Sequence, residues 1–66
     1  MWVVVQMAQG KEAQQRSVSH LEREGILVRV RPLYKNVAEA QNYYEISVLA
    51  SEAEEAQHVL LEHGIS

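Results

Sequence analysis

The chain has no cysteine and no aspartate, only two lysines and one proline, and few aromatic residues. Without cysteine there is neither a disulfide framework nor a thiolate metal site, and an intracellular, cytoplasmic setting is the expectation. Its longest apolar run, Met1-Trp2-Val3-Val4-Val5, has no basic stretch before it. A run this short predicts a strand, not a signal peptide or a membrane span. Positive charge is scarce too: six Lys plus Arg against nine acidic residues, all Glu, give a net charge of −3. That balance disfavours an electrostatic footprint for nucleic acid or for an anionic membrane. Lys11 and Lys35 both lie in polar stretches, so a buried Schiff-base lysine is not expected. Gln9-Gly10-Lys11 has one glycine where a phosphate-binding loop needs several, and it reads as a turn, with an anion site at that helix N-terminus as the alternative.

What is present is a pattern of capping and core signals. Leu21-Glu22-Arg23-Glu24-Gly25-Ile26 recurs loosely as Leu60-Leu61-Glu62-His63-Gly64-Ile65. Each copy reads as a helix terminus, with Gly in the left-handed position and the following Ile folding back onto the Leu one turn earlier. Trp2 to Ala8 is rich in β-branched residues and predicts a strand; Lys11 to Glu24 predicts a helix with Gln14, Ser17, Val18 and Leu21 on one weakly apolar side. Ile26 to Arg31 alternates as a second strand that Pro32 ends, and Tyr43 to Leu49 alternates as a third. Leu33 to Asn42 connects them, long for a hairpin and expected to be the most mobile internal segment, with room for a helical turn at Val37 to Ala40. Ser51-Glu52-Ala53-Glu54 has the form of a capping box, followed by a helix to His63 whose apolar stripe is Ala53, Ala56, Val59 and Leu60.

The order β-α-β-β-α predicts one α+β domain over residues 1–66, a split β-α-β motif of ferredoxin-like type lacking its last strand. The sheet is expected to be three-stranded and antiparallel in the order 1-3-2, with both helices on one face. Val3, Val5, Met7, Val28, Val30, Tyr44, Ile46 and Val48 are expected beneath the helices. Trp2, Val4, Gln6, Leu27, Arg29, Arg31, Tyr43, Glu45 and Ser47 are expected on the open face.

On the repeated Leu-to-Ile ending, the Ser51 to Ala56 stretch with Val59-Leu60, and the element order, the chain resembles the prokaryotic signal-transducing proteins. These small domains are grouped with the fold of the nitrogen-regulatory PII proteins. The resemblance implies a ferredoxin-like fold and a role in regulation or ligand sensing. It implies no catalytic residues and no cofactor.

For chemistry the residues offer little. His20, His58 and His63 are the only imidazoles, and His58 and His63 sit roughly 140° apart around a helix, so they do not form the i, i+4 pair of a zinc site. Most of the Glu around the last helix read as a solvated face. The open sheet face is the candidate surface, with Trp2, Val4, Leu27, Arg29, Arg31, Tyr43 and Glu45 as candidate ligand- or partner-binding residues. Trp2 and Tyr43 start antiparallel neighbours and so fall at opposite ends of the sheet, which breaks up any stacking platform for nucleic acid. Glu45 is placed to pair with one of the two arginines across strands. The expected function is a non-enzymatic regulatory module that binds a small ligand or a protein partner. Nucleic-acid binding through the open face is the alternative. The first strand, an edge with none of the Lys, Pro or bulge signals that protect one, suggests a homodimer through strand 1; packing through Trp2, Val4 and Leu27, or a monomer, are the other arrangements.

Overall fold

A computed structural model describes residues 1–65. The chain runs β1 (Trp2–Gln9), α1 (Lys11–Arg23), β2 (Val28–Pro32), β3 (Tyr43–Leu49), a 3-10 turn (Ala50–Glu52) and α2 (Ala53–Glu62). β3 is central, antiparallel to both β1 and β2, so the sheet order is β1-β3-β2. This is the α+β split motif expected from the sequence. Strict alternation explains why β3 takes the middle: Tyr44, Ile46 and Val48 are buried while Tyr43, Glu45, Ser47 and Leu49 are half-buried. Pro32 closes β2 opposite Tyr44, a site open to proline because β2 is an edge strand.

Both helices pack on the face that carries Ile46 and Val48. With Ala8, Leu21, Ile26, Ala56, Val59 and Leu60 these residues form one buried cluster. The α2 stripe is as the spacing predicts. The α1 stripe is also as predicted, and it buries two polar side chains, Gln14 and Ser17.

Both helix endings are Schellman motifs. Ile26 N–H donates to the Leu21 carbonyl and Gly25 N–H to that of Glu22; Ile65 and Gly64 donate likewise to Leu60 and Leu61. Gly25 and Gly64 have φ of 78° and 73°, as the repeat predicts.

Three expectations need correction. First, β1 contains a bulge: Val4 lies opposite Ser47 but Gln6 lies opposite Ile46, leaving Val5 as an extra residue. The strand's phase therefore reverses, so Gln6 turns toward the helices and Met7 toward the open face, where it is 45% exposed. β1 thus carries an edge-protecting feature that has no mark in its sequence. Second, Ser51 is not an N-cap. The extended residue is Leu49 (φ −65°, ψ 145°), so winding begins at Ala50, whose amide is tied to the Met1 carbonyl, and no side chain caps either the turn or α2. Third, Val37 to Ala40 is not helical. A single turn closed by Gln41 N–H to the Ala38 carbonyl is found instead.

The connection's base is held by Asn42, which is buried. Its Oδ1 accepts from the amides of Tyr34 (3.2 Å) and Tyr43 (2.7 Å), and its Nδ2 donates to the Tyr34 carbonyl (2.8 Å). Its backbone carbonyl accepts from Gly10 N–H at 2.8 Å. Gly10 has φ 86° and ψ 157°, a region essentially confined to glycine, and an added Cβ would lie 3.1 Å from the Ala40 carbonyl oxygen. A Cβ at Gly25 would meet nothing within 4 Å. In urea titrations Gly25→Ala is therefore expected to cost about 1 kcal/mol, the left-handed penalty alone. Gly10→Ala is expected to cost at least about 1 kcal/mol more, because strain and contact combine. Equal losses would show that the Gly10–Ala40 approach is not tight.

Candidate functional site

The open face is built in cross-strand rows. Trp2 lies opposite Leu49; Val4, Ser47 and Arg29 share a row; Met7, Glu45 and Arg31 share the next; Gln9 lies opposite Tyr43. Trp2 and Tyr43 are thus at opposite ends, as the strand order requires. Leu27 lies just before β2, outside the paired rows, and is exposed.

The two arginines are held differently. Arg31 Nη2 donates to Glu45 Oε1 at 3.1 Å, so of the two arginines that the sequence offered to Glu45 the structure pairs Arg31. The guanidinium is largely exposed, so the pair orients side chains more than it stabilises the fold. Arg29 instead lies over the Trp2 ring, 5.6 Å from its centroid, an attraction of cation to π face. Trp2, Val4, Arg29, Arg31 and Ser47 together line a shallow depression of about 210 Å³. Met7 extends this surface along β1. It could not be assigned to the face from sequence, because nothing in Val4-Val5-Gln6 marks a bulge.

A second concavity, of about 570 Å³, opens at the amino-terminal end of α1. Its walls include Lys11 and Gln14 of α1, Pro32 at the end of β2, and Tyr34, Lys35 and Glu39 of the connection. Lys11 Nζ lies 5.5 Å from the centroid of the buried Tyr44 ring. Gln14 is only 7% exposed, and its Oε1 has no hydrogen-bond partner.

The imidazoles do not converge on a metal site. Among the described residues no three His or Glu side chains gather as a metal-binding group. His58 faces Glu62 one turn on, at 3.7 Å. His20 and His63 stack, ring centroids 3.7 Å apart and planes 14° from parallel, a contact between α1 and the end of α2 that no spacing rule shows. Nor does any described helix have the length and apolarity to cross a membrane. Compared with models of known protein families, with curated proteins and with solved structures, the chain matches none.

Partial burial of the His20 ring holds its pKa below the usual 6.5, and the neighbouring His63, Arg23 and Arg16 push it the same way. A base whose folded pKa is depressed binds its proton more tightly in the unfolded chain. Its contribution to stability is therefore intact above 6.5 and is lost as pH falls through 6.5 toward the folded value. Chemical unfolding at stepped pH should accordingly show stability declining below pH 6.5, with a shallower decline in His20→Gln. A wild-type profile no steeper than that of the variant would contradict the assignment.

Proposed function

We propose that the chain is a non-enzymatic regulatory module whose open sheet face docks a partner protein. The observation that carries this reading is the run of exposed Trp2, Val4 and Met7 along β1, with Arg29 stacked on Trp2 beside it. Trp, Tyr, Met and Arg are the residue types enriched in protein interfaces, and Trp, Tyr and Arg dominate their binding energy. The resemblance to prokaryotic signal-transducing proteins supports the regulatory role.

Charge sets the partner's chemistry. Among the described residues Glu45 engages Arg31, and Arg29 pairs with no carboxylate and lies over the Trp2 ring. A complementary surface would offer apolar side chains to Trp2, Val4 and Met7, and a carboxylate to Arg29. The homodimer through strand 1 is the less favoured arrangement, because a bulge such as that at Val5 bends and twists a strand and limits edge-to-edge pairing.

A photo-crosslinking residue at Val4, with one at the exposed Glu55 as control, tests the proposal in cells. The expected result is one discrete heterologous adduct from position 4 only, abolished by Arg29→Glu. Equal capture at both positions, no adduct at all, or an adduct of twice the chain's own mass would contradict it. The nucleic-acid alternative draws on Arg29 and Arg31 on the same face. It requires single-stranded oligonucleotide affinity that falls steeply with salt and is lost when both are changed to Ala. The net charge of −3 and the separation of Trp2 from Tyr43 weigh against that result.

A further inference from the structure

We infer that the cleft at the amino-terminal end of α1 is a binding site for a small organic carboxylate, separate from the docking face. Three observations converge on it. The chain's only two lysines, Lys11 and Lys35, come from different elements to line this one cleft, in a molecule whose net charge is −3. Gln14 is buried in its wall with its Oε1 unpartnered, so no protein hydrogen bond through that oxygen opposes turning the amide's Nε2 donor toward a ligand carboxylate. The volume of about 570 Å³ falls within the ~300–1,000 Å³ typical of small-molecule sites.

The lining also fixes the ligand's character. Lys11 and Lys35 against Glu39 leave a net charge of +1, which matches a single carboxylate and opposes a polyphosphate. Tyr34, 51% exposed, and Val37 on the connection offer an apolar wall for the body of the ligand. Gln14, by rotation of its amide about the terminal torsion, turns its Nε2–H donors toward the carboxylate, which only accepts. Asn42 holds the wall in place and is itself satisfied, so it contributes position and not recognition.

Titration of the isotope-labelled protein with benzoate, followed by amide NMR shifts, tests the inference. Inorganic phosphate and benzylamine serve as parallel probes. The expected result is saturable benzoate shifts centred on Lys11, Gln14 and Lys35, weaker response to phosphate and none to benzylamine. Lys35 is exposed, so Lys35→Ala should leave the unfolding temperature unchanged while weakening benzoate about tenfold, the usual worth of a charged hydrogen bond. Gln14→Met should instead raise the unfolding temperature by removing the unpartnered oxygen, and should also weaken benzoate. The absence of saturation by benzoate, tighter binding of phosphate, or benzoate shifts that survive Lys35→Ala unaltered would each overturn the assignment.

Discussion

Between Val4 and Gln6, β1 advances two residues while its partner β3 advances one, from Ser47 to Ile46. The side chains of the strand are sorted by that step. Before it, Val3 shares a row with Val48 beneath the helices; after it, Gln6 and Ala8 take that side, opposite Ile46 and Tyr44. Ala8 is almost fully buried, and a larger side chain there would have to be accommodated against the core. Without the bulge, Met7 would occupy the core side and Gln6 the solvent side. With it, the open face gains Met7, and the core takes in a glutamine whose Oε1 has no hydrogen-bond partner. The apolar continuity of Trp2, Val4 and Met7 rests on this single extra residue.

The opposite end of the sheet is organised by Asn42. Its side chain joins the two ends of the connection, and its carbonyl holds the Gly10 amide, so one residue fixes where α1 begins relative to β3. The cleft lined by Lys11, Lys35 and Gln14 is framed by that junction. Face and cleft thus occupy different sides of the same short sheet. β3 contributes to both, through Glu45 and Ser47 on one side and Tyr44 on the other.

Much of this was legible in the residues because it follows from local rules. The alternation of Tyr43 to Leu49 set the phase of β3, and Gly25-Ile26 and Gly64-Ile65 announced the two Schellman endings, since only a left-handed residue closes that hydrogen-bond pattern. That Glu45 pairs with one of the two arginines followed from strand order and alternation, and the register selects Arg31. What escaped depends on tertiary competition. Val4-Val5-Gln6 has no glycine to mark a bulge, and the choice between Met7 and Gln6 as the inward residue was decided by packing. The Ser51 capping box failed because Ala50 is anchored to Met1, which starts the helical winding before Ser51 can take an extended conformation. Asn42 and the His20–His63 stack are long-range contacts, and neither has a signature in nearby sequence.

The absence of native cysteine allows the bulge to be probed directly, by thiol-labelling rates of single-cysteine variants at consecutive β1 positions under native conditions. A bulge at Val5 predicts fast labelling of Met7→Cys and Val4→Cys and slow labelling of Val5→Cys and Gln6→Cys. An unbroken alternation, with Gln6→Cys fast and Met7→Cys slow, would contradict it and remove Met7 from the docking face.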